Sequence, residues 1–268
     1  MPRSPRSNQA NTAAADPAPG ELARPAGAVG ASTSPVGAST GPGADAGPEA
    51  DSGRGTDVGP EADAGRGTDV GPEADAGLAQ AKGSLRAEVL ARRRAMTDAD
   101  RATAGRQLRD ALLEMPELQM AGTIAAYVSV GIEPDTRGLI FALWKRGSYV
   151  LLPVLQADGD LDWASYEGPD SLGAGPRGLL EPMESRRGVT AITSADLIIV
   201  PAVAVDRAGR RLGRGGGSYD RALARVGPAI QTVALLYEGE LVRKVPAGPY
   251  DQPVRTAAIA GQGISRLR

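Results

Sequence analysis

Apolar residues in the second half of the chain follow strand-like and helix-like patterns in alternation. The run LIIVPAVAV (197–205) is apolar apart from one proline, which is typical of a strand buried on both faces near the centre of a sheet. Short apolar segments bounded by polar or glycine-rich loops predict the other strands. These segments lie at 123–129, 148–155, 161–166, 229–237 and 254–260.

Helical spacing separates these strands. Residues 84–96 are helix-like, and Thr97 with Asp100 forms a capping-box-like start for a second helix that extends to about Met115. Further helices are predicted from Pro134 to about Lys145 and over 219–226. Strands that alternate with helices indicate an α/β fold, here one three-layer domain with an open, largely parallel sheet flanked by helices. In such sheets, ligands bind outside the carboxyl ends of the strands.

The first 77 residues have a different composition. They are mostly Ala, Gly, Pro, Asp, Ser and Thr, whereas all nine aromatic residues of the chain fall between Tyr127 and Tyr250. GPEADSGRGTDV (47–58) recurs at 59–70 with one change and continues partly over 71–77. A segment so poor in large apolar groups cannot offset its ordering entropy. We therefore predict a disordered low-complexity tail over 1–77, either an inert extension or a partner-binding one, and a folded domain over 78–268.

Charge and composition exclude several classes of function. The net charge of −2 argues against a dedicated nucleic-acid binder. No run approaches the ~18 apolar residues of a membrane span, and no apolar segment of a secretory signal follows the early arginines, so we expect a cytoplasmic protein. The chain has neither Cys nor His, which rules out zinc sites built on those residues and Ser-His-Asp or Cys-His catalysis. A bound metal must be held by oxygen, which favours Mg²⁺ or Ca²⁺.

The segment RRLGRGGGSYDR (210–221) follows the central apolar run and carries the strongest chemical signal. Glycines let backbone N–H groups approach an anion closely, and Arg211 and Arg214 add donors for phosphoryl oxygens. The segment matches neither the Rossmann fingerprint, which would need glycine at Ser218, nor a Walker A loop. Phosphate binding is the favoured interpretation, and a structural turn or an RNA contact are the alternatives.

At this point the sequence resembles a known family. PAVAVDRAGRRLGRGGGSYDRALAR (201–225) is similar to the signature of the 5-formyltetrahydrofolate cyclo-ligases, also called methenyltetrahydrofolate synthetases. Four other stretches resemble the family in order and spacing, and the resemblance covers about 82–260. These stretches are Lys82 with Arg86, YVSVGIEPDT (127–136), GLLEP (178–182) and VPAGPYDQPV (245–254).

The resemblance implies an enzyme that uses ATP and Mg²⁺ to convert 5-formyltetrahydrofolate to 5,10-methenyltetrahydrofolate, with release of ADP and phosphate. It implies no nucleic-acid or membrane partner, and we expect a monomer. The chemistry needs aligned substrates and neutralised charge rather than histidine or a covalent nucleophile, which suits this composition. The alternative from another class is a non-catalytic or RNA-associated protein that uses the Gly-Arg segment as an anion contact.

The resemblance also assigns residues. Arg214, where the γ-phosphoryl and the formyl oxygen should meet, and Tyr219 are the catalytic candidates, and Glu133 is expected to accept hydrogen bonds from the pterin. Asp220 and Asp251 are the Mg²⁺ candidates. The expected ATP contacts are Lys82, Arg86, Arg211, Leu212, Gly213, Arg214, Gly215, Gly216, Gly217, Ser218 and Tyr219. The expected folate contacts are Val128, Glu133, Arg214, Gly215, Gly216, Gly217 and Ser218.

Two positions depart from the family pattern. Ser218 stands where the family often has the first of two tyrosines, and Tyr250 stands where it often has histidine. An aromatic face for the pterin is therefore expected from Tyr219 or Tyr127 instead. Both departures bear on affinity more than on the class of reaction.

Overall fold

The structure, a computed structural model, describes residues 72–267, which belong to one compact unit, Ala64–Arg268. Most of the predicted tail therefore lies outside the described residues. The first helix, α1, spans Pro72–Ala95, so the predicted domain boundary at Leu78 lies six residues inside this helix. Proline is tolerated at the first helical position, and Glu73 and Asp75 favour the positive end of the helix dipole. These local signals extend the helix into the low-complexity sequence.

The remaining elements alternate between helices and strands. Further helices are α2 (Asp98–Leu113), α3 (Pro116–Met120), α4 (Arg137–Lys145) and α5 (Ser218–Ala224). The strands are β1 (Thr123–Ala125), β2 (Tyr149–Leu155), β3 (Leu161–Ser165), β4 (Leu172–Ala174), β5 (Leu180–Pro182), β6 (Leu197–Pro201), β7 (Ala204–Asp206), β8 (Arg211–Leu212), β9 (Gln231–Leu236), β10 (Leu241–Val242), β11 (Thr256–Ile259) and β12 (Gly263–Arg266).

A seven-stranded sheet forms the centre of the domain, in the order β12-β11-β9-β6-β1-β2-β3. Only the edge strands β3 and β12 pair antiparallel within this sheet, and every other neighbouring pair is parallel. Strand β6 is the fourth of the seven, so the prediction that the most apolar run lies centrally is confirmed. The predicted open, largely parallel α/β sheet is confirmed as well.

The central strand contributes to both hydrophobic cores. Leu197 and Ile199 join a cluster that includes buried leucines of α2 and α4, whereas Ile198 and Val200 join a cluster that includes Ala222 and Leu223 of α5. Successive side chains of a strand point to opposite faces, so helices on both faces require apolar residues at every position. This burial explains the uninterrupted apolar run and gives the domain its three layers.

The same apolar run is nevertheless divided in two. Strand β6 ends at Pro201, which lacks the N–H needed to continue a ladder, and β7 pairs instead with β8 and β10 in a separate three-stranded sheet. The buried carboxylate of Asp206 accepts hydrogen bonds from the backbone N–H groups of Ala208, Arg210 and Val245. This aspartate of the sequence signature is therefore a structural residue of the β7–β8 turn.

Two other local predictions have different outcomes. The capping box at α2 is confirmed, because Thr97 Oγ1 accepts the Asp100 N–H at 3.1 Å and Asp100 Oδ2 accepts the Thr97 N–H at 3.3 Å. The predicted strand over 123–129 is too long, since β1 ends at Ala125. Thr136 accounts for part of this difference, because it accepts the Ser129 N–H and donates to the Tyr127 carbonyl oxygen, which fixes the chain in a loop.

Among the helices within 72–267, none combines the length and apolar character needed to cross a bilayer.

Candidate active site

A large cleft lies at the carboxyl ends of β1 and β6, near the middle of the sheet. Strand β1 sits between β2 on one side and β6 on the other, so the loops that follow β1 and β6 diverge and leave a crevice at their carboxyl ends. A cleft of about 510 Å³ opens at this place, lined by Tyr127 after β1 and Ala202 after β6. All the predicted site residues line it. They are Lys82, Arg86, Val128, Glu133, Arg211, Leu212, Gly213, Arg214, Gly215, Gly216, Gly217, Ser218, Tyr219, Asp220 and Asp251.

The glycine-rich loop runs along one wall of this cleft, between β8 and α5. Gly215 has φ 106° and Gly217, the residue before α5, has φ 70°. Residues with a Cβ rarely adopt such angles, so glycine is required for the path of the chain and not only for its flexibility. The loop therefore keeps its backbone at the surface of the cleft, where N–H groups are available to an anion.

Arg211 is held at the base of the loop. Its guanidinium is almost fully buried and donates to Asp220 Oδ1 at 2.7 Å and to the Pro201 carbonyl oxygen at 3.2 Å. The Gln252 N–H donates to the same Asp220 oxygen at 3.1 Å. A predicted nucleotide contact and a predicted metal ligand are therefore paired with each other in the free protein.

A second pair lies beside the first, because Asp251 precedes Gln252, which donates to Asp220. Lys82 of α1 donates to Asp251 Oδ1 at 2.8 Å and to Oδ2 at 2.5 Å, and the Gly248 N–H donates to Oδ2 at 2.6 Å. Burial acts to raise the pKa of Asp251, but the hydrogen bonds from Lys82 and Gly248 outweigh it and leave the pKa below its ordinary value. Asp251 is therefore ionised at neutral pH. One helical turn along α1, Arg86 donates to the Gly213 carbonyl oxygen at 2.8 Å.

A third pair bridges the two walls of the cleft. Arg214 in the glycine-rich loop donates to Glu133 Oε1 at 3.2 Å, with 53% of the arginine side chain exposed and only 10% of the glutamate. The other carboxylate oxygen of Glu133 accepts the Val130 N–H at 2.9 Å, and Tyr237 donates its hydroxyl to the Glu133 carbonyl oxygen at 3.1 Å. The carboxylate is fixed by its own loop, whereas the arginine is mostly free to move.

Two tyrosine hydroxyls near Glu133 have no hydrogen-bond partner within residues 72–267. They belong to Tyr127 and Tyr219, and both oxygen atoms are buried. Burial, and then the nearby charge of Glu133, raises the pKa of each hydroxyl well above its ordinary value. Both groups stay protonated at neutral pH, so Tyr219 has the properties of a neutral hydrogen-bond donor and not of a phenolate base.

The cleft also has an apolar wall that sequence reasoning missed. It is formed by Pro153 and Leu155 of β2, Leu161 of β3 and Leu179 from the connection that follows. Arg177 of the same connection lines the cleft too, with φ 57°. The carboxyl end of β2 was a usable signal under the rule for parallel sheets. The contribution of 177–179 was not, because it depends on how that connection folds back over the sheet.

Two residues of the family-like stretches lie away from the chemistry. Glu181 in GLLEP accepts the Leu155 N–H at 2.8 Å and so fixes the end of β2 rather than facing the cleft. Tyr250, which replaces the family's histidine, is 86% exposed and does not line the cleft. Ser218, the other departure, does line it, next to Tyr219.

Fold and cleft together define an α/β protein with a cationic, glycine-rich cleft at the switch point of a parallel sheet. The family model described as "5-formyltetrahydrofolate cyclo-ligase family" matches residues 78–260. The chain belongs to the 5-formyltetrahydrofolate cyclo-ligase family, and it is an enzyme of that class. This membership decides against the alternative of a non-catalytic protein.

Individual relatives support the same assignment. The chain is 38% identical over 195 residues to a 5-formyltetrahydrofolate cyclo-ligase of Mycolicibacterium smegmatis, covering 70% of this chain and 98% of that protein. It is 36% identical over 166 residues to the Escherichia coli K12 protein of the same name, covering 61% and 91%. The solution structure of Aquifex aeolicus 5,10-methenyltetrahydrofolate synthetase is similar with a TM-score of 0.62 and 29% identity, over 70% of this chain and 93% of that one.

Proposed function

We propose that this protein converts 5-formyltetrahydrofolate to 5,10-methenyltetrahydrofolate at the expense of ATP, with release of ADP and phosphate and with Mg²⁺ bound. The observation that carries the proposal is the contact of 3.2 Å between Arg214 and Glu133, which line the same cleft. The cationic loop expected to bind ATP and the carboxylate expected to bind the folate are therefore adjacent. Family membership supports the folate conversion, and the residues of the cleft support the use of a nucleotide.

The reaction explains why a nucleotide is needed. The N5-formyl group is amide-like, and its oxygen leaves poorly as hydroxide. Transfer of the γ-phosphoryl group from ATP to that oxygen releases ADP and creates a phosphate leaving group. N10 then attacks the formyl carbon and loses its proton as the five-membered ring closes, and the C–O bond breaks to release phosphate. Positioning and charge neutralisation provide most of the catalysis in such a sequence.

The cationic side of the cleft suits the triphosphate. Lys82 and Arg86 reach it from α1, Arg211 from β8, and Arg214 from the glycine-rich loop, whose backbone is exposed through Gly213–Gly217. Arginine forks match phosphoryl oxygens in geometry and charge. Arg214 is the most exposed of these four side chains. Because it lies beside Glu133, we expect it to bind the phosphoryl group where ATP and the folate meet.

The two predicted metal ligands fit Mg²⁺ that is held largely by phosphate oxygens. Within residues 72–267 no three acidic side chains gather into a cage, but Mg²⁺ bound with nucleotides usually takes one or two carboxylates plus phosphates and waters. Asp220 and Asp251 both line the cleft, and each already holds a cation, Arg211 or Lys82. When bound, Mg²⁺ supplies positive charge for the phosphate oxygens. Asp220 and Asp251 would hold this ion, and Arg211 and Lys82 in the same cleft would add positive charge for the nucleotide.

The opposite side of the cleft suits a pterin. Glu133 is fixed through Val130 and accepts hydrogen bonds from adjacent N–H groups such as the pterin's amino group and ring N–H. Pro153, Leu155 and Leu161 provide apolar surface for the ring. Tyr219 provides a neutral hydroxyl, and its ring compensates for the aromatic residue that Ser218 replaces. A cytoplasmic monomer, as expected from the sequence, completes the proposal.

Absorbance tests the proposal directly, because the conjugated methenyl product absorbs in the near ultraviolet and the formyl substrate does not. The full chain is mixed with 5-formyltetrahydrofolate, Mg²⁺ and ATP, and control mixtures omit ATP or the protein. We expect absorbance to rise only in the complete mixture, with one ADP and one phosphate formed per product. Folded protein that gives no rise at any ATP concentration would show the proposal to be wrong.

A further inference from the structure

Arg93 of α1 lies outside the cleft. It contacts Ala202, which follows β6, and Glu240, whose turn contacts the loop that carries Glu133. We propose that Arg93 is a positioning residue, which fixes α1 so that Lys82 and Arg86 meet the nucleotide. This inference rests on the proposed use of ATP. Arg93 does not line the cleft and touches no predicted ligand contact, so we attribute its effect to the position of α1, which carries Lys82 and Arg86.

The first support is a buried ion pair at the end of α1. Arg93 Nε donates to Glu240 Oε1 and Nη2 donates to Oε2, both at 2.7 Å, and each side chain is less than 5% exposed. Nη2 also donates to the Ala202 carbonyl oxygen at 2.8 Å. The fork geometry holds the guanidinium in one orientation. Such a pair specifies a position even where it adds little net stability.

The second support is the spacing along α1. Lys82, Arg86 and Arg93 are separated by four and seven residues, which places them on one face of the helix, with the buried Val89 between the two arginines. At about 1.5 Å per residue, Arg93 is roughly 16 Å along the axis from Lys82. Most other side chains of α1 are exposed, so the helix is attached along this face, where Leu85 and Leu90 also pack beside Val89.

The third support is the identity of the groups that Arg93 contacts. Ala202 follows Pro201, whose carbonyl oxygen accepts a hydrogen bond from Arg211. Glu240 accepts the Tyr237 N–H at 2.9 Å, and the Tyr237 hydroxyl donates to the carbonyl oxygen of Glu133. Arg93 therefore connects α1 to the end of β6 and, through the Tyr237–Glu240 turn, to the loop that carries the folate-side carboxylate.

The test replaces both charged partners together. Removing one would leave an uncompensated buried charge and could unfold the protein, whereas Arg93→Met with Glu240→Gln keeps the volume and leaves an acceptor for the Tyr237 N–H. The full-length variant and wild type are compared by thermal unfolding, by calorimetric titration with a non-hydrolysable ATP analogue and Mg²⁺, and by the absorbance assay. We expect analogue affinity to fall and the KM for ATP to rise by about tenfold or more. The KM for the folate should change much less.

Two controls separate positioning from general destabilisation. Leu112→Ala in the fully buried part of α2 lowers the melting temperature but should leave analogue affinity unchanged, because it lies in the core and away from the cleft. In an Arg86→Ala background the double substitution should cost less affinity than in wild type, since part of its effect passes through Arg86.

Each outcome decides the inference. Wild-type analogue affinity in the double variant, or equal effects in the presence and absence of Arg86, would overturn the positioning role while leaving the proposed function intact. Wild type that binds no nucleotide would overturn both. Loss of affinity that appears equally in Leu112→Ala would show that stability, and not the position of α1, is responsible.

Discussion

Replacement of Arg214 by alanine separates folding from catalysis more cleanly than any other change in the cleft. The side chain is 53% exposed and its recorded contact is the 3.2 Å pair with Glu133. An ion pair with an exposed arginine contributes about 0.2–1 kcal/mol to folding, and Glu133 keeps its hydrogen bond from the Val130 N–H when Arg214 is removed. In a domain of this size, 1 kcal/mol corresponds to about 2–4 °C in melting temperature. The fold should therefore survive almost unchanged.

The expected effect on turnover is far larger. A charged donor aimed at a transferring phosphoryl group is worth about 3 kcal/mol or more of the barrier, which is roughly 100-fold or more in rate. The loss should appear mainly in kcat in the absorbance assay with saturating ATP and 5-formyltetrahydrofolate. The charge acts on the transition state, so ground-state affinity for both substrates should fall less.

A matched control variant separates the role of Arg214 from the general effect of removing a positive charge. Arg207 is an exposed arginine in the β7–β8 turn that does not line the cleft, so Arg207→Ala removes the same charge from the same neighbourhood of the chain. It should leave both turnover and melting temperature close to wild type. Turnover of Arg214→Ala that matches Arg207→Ala would refute the assignment. A drop in melting temperature well beyond 4 °C would instead refute the view that this arginine has no structural role.

Two other predictions follow from the remaining charges. Glu133→Gln should weaken folate binding. It should tighten the binding of an ATP analogue in the absence of folate by up to about fivefold, because Arg214 is released from its ion pair. Calorimetry that shows weaker or unchanged nucleotide binding would contradict this prediction. Hydrogen bonds from Arg225 hold the pKa of Asp160 below its ordinary value, against the opposing effect of burial. A carboxylate whose pKa is depressed in the folded protein adds to the free energy of unfolding at pH values above its unfolded pKa of about 3.9. This contribution is lost as the pH falls through the folded-state pKa of Asp160, so urea unfolding should show a loss of stability in that acidic range. Arg225→Met should flatten this part of the pH profile, and an unchanged slope would exclude the pair as its cause.

The three ion pairs of the cleft explain how so much charge is tolerated before any ligand arrives. Lys82 holds Asp251, Arg211 holds Asp220, and Arg214 holds Glu133. Each pair joins a cation proposed to contact ATP with a carboxylate proposed to contact Mg²⁺ or folate. In the proposed function, substrate binding exchanges partners within each pair, and we expect the cost of this exchange to lower the apparent affinity of either substrate alone.

Local sequence patterns determined the elements and the chemical inventory of this protein. The apolar run at 197–205 indicated a central strand because burial on both faces demands apolar residues at successive positions, and its first five residues form that strand. Thr97 and Asp100 indicated a helix start through contacts three residues apart. The glycine-rich segment indicated a loop whose backbone N–H groups can approach an anion closely, and the positive φ angles of Gly215 and Gly217 were seen only in the structure. The absence of cysteine and histidine already limited the chemistry to oxygen ligands and arginine or lysine cations.

Tertiary structure alone decided which of these residues face one another. The bond from Lys82 to Asp251 spans 169 positions of sequence and the bond from Arg93 to Glu240 spans 147, so no local pattern contains them. The apolar wall of Pro153, Leu155 and Leu179 likewise exists only because the strand order places β2 beside β1 and the following connection folds over it. Spacing in sequence reports interactions within a helix, strand or turn, whereas a cleft is made where elements distant in sequence are packed together by the burial of their apolar faces.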